Sequence, residues 1–290
     1  VIDSEYQCLK YKDIALHHLW GGFMLIGLLG GARDPFRPPA PDLTPLLSTG
    51  TRLRAFPSRV PAFPFTPLEQ ALQQVGHLDA GLSAAQAGCD ALVIDSLGDY
   101  GLAAIRAATP LPVFGPGERG MAEAAAGGRR FGIVTVWPRS MNFIPEGLLQ
   151  AYGHAAACVG ISNVGAETEL DRLAGPDGYL AQVRDGAATI IDAVSAAIVE
   201  MAGRGADAVL LGCTCMSPLA VALAARAPVP VINPLASALV AAERAGPWRG
   251  GDRIVTRPGR SDLVKRMVDG VADEPAEDCP VCVVASSLGE

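Results

Sequence analysis

The chain of 290 residues carries the same unit twice. Residues 88–116 read GCDALVIDSLGDYGLAAIRAATPLPVFGP, and residues 205–234 read GADAVLLGCTCMSPLAVALAARAPVPVINP. Gly88 matches Gly205, Asp90 matches Asp207 and Leu102 matches Leu219, all at an offset of 117 (205 − 88). Pro112 and Val113 then match Pro230 and Val231 at an offset of 118, so one residue is inserted between the helix start and the next strand. Each copy runs from an apolar segment through a turn and a helix to a second apolar segment, the order of a βαβ unit in a parallel sheet. Two such units predict an α/β protein of two pseudosymmetric lobes, with parallel sheets flanked by helices and the active site in the interlobe cleft. At the C-terminal end of the first strand of each copy, where open α/β sheets bind their ligands, stand Ser96 and Cys213.

The length suffices for two lobes of ordinary size. Residues 1–21 read as an N-terminal extension that covers a neighbouring subunit; it carries His17 and His18. Residues 22–115 form the first lobe, completed by about 229–268, residues 116–228 the second, and 269–290 a tail. Strands are expected at 22–29, 51–56, 91–94, 112–114, 130–136, 155–161, 208–211 and 229–232. Helices are expected at 67–87, 102–108, 140–152, 179–203, 219–226, 235–244 and 262–268. Thr66 and Pro67 suit the cap and first position of the first of these. The proline-rich stretch 34–48 reads as a loop.

Twenty-three basic residues against 30 acidic ones leave a formal charge of −7, which argues against nucleic acid or an anionic membrane as partner. The apolar stretch 20–29 is too short to span a bilayer, and no basic region precedes it as in a signal peptide. A cytoplasmic enzyme acting on a small molecule, and assembled as a homo-oligomer, is the expectation. Seven scattered cysteines fit reduced thiols better than a disulfide framework.

Cys213 lies between an apolar strand and a helix, where backbone N–H groups lower a thiol pKa. The competing reading is a small buried residue. Gly212 permits close approach of a ligand to the backbone, and Thr214 offers a hydroxyl and an N–H to a carboxylate or amide. Cys215 is a weaker candidate, because it lies two positions further on and its side chain is expected to point elsewhere. Ser96 can bind an anion or cap the next helix, but its hydroxyl is too weak an acid to serve unaided as a carbon base. Asp95 and Asp99 are candidate general bases, against which Asp99 is expected to cap that helix and Asp95 to point off the other side of the strand. Thr135, at the end of another strand, is a candidate substrate contact. The turn from Gly115 to Glu118 reads as an interlobe hinge rather than an anion site. Cys279 and Cys282 form a single CxxC, too little for zinc.

Several segments together resemble the aspartate/glutamate/hydantoin racemase superfamily, most closely the hydantoin racemases. They are DSLGDYGL (95–102), VFGPGERGM (113–121) with GRRFGIVT (128–135), and LGCTCM (211–216). The resemblance covers about residues 22–246. It implies an isomerase without cofactor or metal, in which two cysteines face each other across the substrate α-carbon. One removes a proton and the other returns one to the opposite face. By position Cys213 is the second of these, and Ser96 stands where the pattern has the first. Either Ser96 replaces a catalytic cysteine by design, or it is native and two-thiol racemisation is excluded. Single-cysteine decarboxylases or cis-trans isomerases of the superfamily are then the alternative, and a non-catalytic two-lobed binding protein is the alternative from another class. Leu97 and Gly98 would contact substrate through their backbone. The family's Asn-Pro-Asn-Thr-type loop after the first strand is replaced by Gly30, Gly31, Ala32 and Arg33. Gly30 and Arg33 are therefore the candidates there, Arg33 as an anion contact.

Overall fold

The computed structural model describes residues 23–30, 42–60, 62–173, 177–248, 250 and 259–272. The N-terminal extension, Arg33, most of the proline-rich loop and the cysteines at 279 and 282 lie outside the described residues.

Among the described residues there are two four-stranded sheets, every pairing parallel. The first holds β1 (Met24–Leu29), β2 (Thr51–Phe56), β3 (Ala91–Ile94) and β4 (Val113–Phe114), in the order β2-β1-β3-β4. The second holds β5 (Phe131–Thr135), β6 (Cys158–Asn163), β7 (Ala208–Leu211) and β8 (Val231–Ile232), in the order β6-β5-β7-β8. The strand order of one lobe is repeated in the other, as the duplication requires.

The repeated aspartates have the same task. Asp90 donates its backbone N–H to Leu25 O at 2.7 Å and accepts from the Leu25 N–H on its carboxylate, at 2.8 Å. Asp207 does the same for Arg130, at 2.9 Å. Each carboxylate thus satisfies a backbone donor at the start of a central strand, which would otherwise go unpaired. The inserted residue is visible as well, because Leu92 donates to Pro112 and Val209 to Pro230, both at 2.9 Å.

Nine α-helices occur among the described residues: α1 (Pro67–Gln86), α2 (Leu102–Ala108), α3 (Pro116–Ala124), α4 (Phe143–Ala151), α5 (Tyr179–Arg184), α6 (Ala188–Gly203), α7 (Ala220–Ala224), α8 (Pro234–Ala245) and α9 (Arg260–Asp269). Helix α1 starts on a capping box in which the Thr66 hydroxyl accepts from Leu68 N–H and the Glu69 carboxylate accepts from Thr66 N–H, a device worth about 1 kcal/mol.

Both faces of each sheet are covered. In the first lobe Ala80, Ala84 and Ile105 of α1 and α2 pack on Leu92 and Ile94, while Leu235, Ala238 and Leu239 of α8 pack on Ile26, Leu28, Ala91 and Val93. Helix α8 therefore returns from the far end of the chain to close the first lobe. In the second, Val194, Ile198 and Met201 of α6 cover Val134, Val209 and Leu211, and Met121 and Leu149 cover Phe131, Ile133 and Leu210. Burial on two faces explains why the central strands read as unbroken apolar runs.

Four expectations are corrected. The helix over 179–203 is two helices, because Gly186 adopts φ +69° and breaks the run between α5 and α6. The strand expected at 155–161 starts at Cys158, since Gly153 (φ +73°) and a turn closed by Ala157 N–H on His154 O occupy the preceding residues. The segment 219–226 is helical as α7 over Ala220–Ala224 only. A 3₁₀ turn, Thr214–Leu219, precedes it and holds Pro218. Finally, β8 lies beyond residue 228, where the second lobe was expected to end, and pairs with β7. The second sheet thus extends to Ile232.

Candidate active site

The two strand ends carry matching bonds. Asp95 N–H donates to Leu29 O at 2.8 Å, and Gly212 N–H to Val134 O at 2.7 Å. The residues that follow, Ser96 and Cys213, are equivalent in the duplication, and both are half-buried. Each has its side-chain heteroatom under the N–H two residues on. Gly98 N–H donates to Ser96 Oγ, and Cys215 N–H to Cys213 Sγ, both at 3.1 Å. The Tyr100 hydroxyl is also hydrogen-bonded to the Ser96 side chain, and burial pushes that phenol well above its ordinary pKa.

The lobes meet at these strand ends. Thr214, directly after Cys213, donates its hydroxyl to the carbonyl of Asp95, directly before Ser96, at 3.2 Å. That bond joins the residues next to the two candidate positions across the two lobes. It also commits the hydroxyl of Thr214, a buried residue, to a bond between the lobes.

Cys213 and Cys215 are joined by a disulfide, with Cα atoms 5.2 Å apart. The expectation of reduced thiols is corrected at this pair. The 3₁₀ turn that follows Cys213 brings the Cys215 sulfur back towards it, against the expectation that Cys215 points elsewhere.

Other candidates serve the frame of the site. Thr135 is buried; its hydroxyl donates to Gly212 O at 3.4 Å and accepts from Trp137 N–H at 3.2 Å. A Cβ on Gly212 would collide with Thr135, so the close approach this glycine permits is to a neighbouring strand, not to a ligand. The Leu97 side chain is buried among Met121, Phe131 and Ile133 of the second lobe. The Gly98 N–H is taken by Ser96. Gly30 (φ +87°) donates its N–H to Phe56 O at 2.9 Å and lies against the His77 ring. Arg33 lies outside the described residues.

Two groups escaped the sequence reading, His77 and a polar relay, and a third, Asp99, was given the wrong helix. His77 is buried and held neutral, its pKa lowered to about 4 by burial; its Nδ1 pairs with Gln73 O at 2.8 Å. Its ring packs edge-on to Tyr100, with centroids 5.3 Å apart. Asp99 does not cap α2. It adopts φ +47°, and its buried carboxylate accepts from Gly117 N–H (2.9 Å), Glu118 N–H (2.7 Å) and Tyr152 O–H (2.7 Å). It therefore caps α3 in the other lobe, and burial raises its pKa to about 7 against those three donors. The relay is formed by Asp42, Ser217 and Asn233: Ser217 Oγ donates to Asp42 at 2.6 Å and accepts from Asn233 at 2.9 Å. Spacings of 175 and 16 residues left no local signal for it.

Among the described residues no helix is long and apolar enough to cross a membrane, and no group of three or more metal-ligating side chains is gathered.

The geometry agrees with comparisons to known proteins. The sequence model described as Asp/Glu/Hydantoin racemase matches residues 50–242. The hydantoin racemase of Paenarthrobacter aurescens is 31% identical over 201 residues, covering 68% of this chain and 80% of that protein. The hydantoin racemase of Pseudomonas sp. (strain NS671) is 33% identical over 156 residues, 54% of this chain and 58% of that protein. In three dimensions the allantoin racemase from Klebsiella pneumoniae superposes with a TM-score of 0.63 at 23% identity, covering 81% of this chain and 94% of that one. The chain belongs to the Asp/Glu/hydantoin racemase family.

Proposed function

We propose that the chain is a cofactor-independent racemase or epimerase acting at the α-carbon of a hydantoin or related amino-acid derivative. Reduced Cys213 is its acid/base thiol. The bond between Thr214 and Asp95, which ties the neighbour of Cys213 to the neighbour of Ser96, is the observation that supports this reading.

Cys213 Sγ sits under the N–H of Cys215, and a donor aimed at sulfur favours the thiolate. The thiolate takes the α-proton. The C–H electron pair passes into the adjacent carbonyl as an enolate, and the thiol so formed returns a proton to the carbon. A thiol that titrates near neutral pH does both. Ser96 on the other lobe lends a hydrogen bond but not a base, because its alkoxide is inaccessible at neutral pH. One-sided proton exchange is then fast and inversion slow. The single thiol also supports a second reading, protonation of an enolate left by loss of carbon dioxide from a malonate-type substrate.

The test follows α-proton exchange in deuterated water, together with optical rotation, for 5-substituted hydantoins under reducing conditions. Cys213→Ala is expected to abolish exchange and leave the fold intact by circular dichroism. Exchange that survives the substitution overturns the reading. Carbon dioxide release from an α-aryl or α-alkyl malonate, without exchange on hydantoins, replaces it with the decarboxylase.

A further inference from the structure

We propose that Cys213 and Cys215 are a reversible redox pair that switches the site off, with Cys215 as the resolving cysteine that shields Cys213 from irreversible oxidation. The proposal rests on the reading of Cys213 as the acid/base thiol.

Three observations carry it. The first is the bridge itself, between α-carbons 5.2 Å apart. That spacing lies within the range a disulfide spans without backbone movement. The second is its place in the chain. It encloses only Thr214, so it closes almost no loop and constrains the unfolded chain little. A bridge there does little for the fold, and its consequence falls on the chemistry of the two sulfurs. In the first copy of the duplicated unit the position of Cys215 is held by Gly98, where a Cβ would run into the Tyr100 ring. The second thiol is therefore particular to the Cys213 side of the cleft.

The third is the contrast with the other described cysteines. Cys89 and Cys158 are unpaired, and burial raises both thiols, Cys89 to about 12. Such thiols stay protonated and unreactive. Cys213 and Cys215 are each only half-buried, and the turn already directs one sulfur at the other.

The oxidant is a peroxide. The Cys213 thiolate attacks one peroxide oxygen; the O–O bond breaks, and the departing hydroxide takes a proton to leave as water. Cys213 then carries a sulfenic acid. The Cys215 thiolate attacks that sulfur, the S–O bond breaks, and a second water leaves. Two thiols have lost two protons and two electrons, and hydrogen peroxide has become two waters. A dithiol reverses the bridge by exchange through a mixed disulfide and is itself oxidised to a disulfide. While bridged, Cys213 has neither a proton to give nor an anionic sulfur to accept one, so proton transfer stops.

The experiment treats the whole chain with hydrogen peroxide, then with dithiothreitol. Iodoacetamide trapping with peptide mass spectrometry and the α-proton exchange rate are both read at each stage. The expected result is a 213–215 peptide lighter by two hydrogens and closed to alkylation, with exchange lower by about a hundredfold. Dithiothreitol restores both. In Cys215→Ser, with rates normalised to that variant's own reduced rate, the loss is expected to resist dithiothreitol. Its Cys213 peptide then gains the mass of two oxygens. Peroxide that leaves both sulfurs open to alkylation while exchange still depends on Cys213 overturns the switch alone. A bridge that forms and breaks without moving the exchange rate overturns the switch together with the acid/base role of Cys213. Full recovery of oxidised Cys215→Ser by dithiothreitol overturns the resolving role.

Discussion

The Thr214 hydroxyl donates to the Asp95 carbonyl at 3.2 Å, joining the residue after Cys213 to the residue before Ser96 across the two lobes. Asp95 directly follows β3 and Thr214 lies just beyond β7, strands of different sheets, so the bond runs from one lobe to the other.

Thr214→Val keeps the shape of the side chain and removes this bond. The expected cost is roughly 1 kcal/mol of stability. Loss of register between the lobes is expected to slow α-proton exchange by about tenfold. Denaturant titration and exchange kinetics check the two parts; an unchanged exchange rate would show that the bond does not set the cleft.

Ser96→Cys places a second thiol under the Gly98 N–H, which lies 3.1 Å from the Ser96 oxygen. Racemisation is expected to rise by about a hundredfold or more, the scale of a positioned acid/base group. Exchange on the Cys213 face should change little. Optical rotation decay and deuterium incorporation, measured side by side, separate the two. Equal racemisation in both forms would remove Ser96 from the proton path.

Asp99 gives the fold a pH dependence near neutrality. Its pKa rises from 3.8 to about 7 on folding, burial outweighing the donors Tyr152, Gly117 and Glu118. A raised carboxyl pKa contributes stability that is full below 3.8 and is lost as pH rises through about 7. The charged neighbours do not change state in that window, since the Arg106–Glu118 pair raises the one pKa and lowers the other. Denaturation midpoints between pH 5 and pH 8, roughly the span of this titration, should fall for the native chain relative to Asp99→Asn. Parallel curves would assign the titration elsewhere.

Gly30→Ala is expected to destabilise the chain by about 2 kcal/mol. The residue sits at φ +87°, and the new methyl would fall on the His77 ring. His77→Ala in the same chain should recover part of the loss, which a double-mutant cycle measures. Strict additivity would mean that the ring is not what requires a glycine.

The sequence by itself determined the duplicated α/β architecture. Central strands buried on both faces must be continuously apolar, and β3 and β7 were legible to the residue for that reason. The start of α1 was legible too, because Thr66 as cap and Pro67 at the first position mark it locally, and the structure adds Glu69 to the same first turn. The equivalence of Ser96 and Cys213 followed from the offset of the two copies, and the structure gives both the same bond to the N–H two residues on. What joins the lobes was decided only in three dimensions. Asp99 caps a helix of the other lobe and Thr214 bonds Asp95 across the lobes, while Thr135 is committed to Gly212 within the second lobe. Each is a polar side chain whose partner is 18 to 119 residues away, and local pattern cannot say which distant backbone group will be left needing it. The bond between Cys213 and Cys215 belongs with these. Their spacing allows it, but only the turn after β7, held in place by packing between the lobes, directs one sulfur at the other.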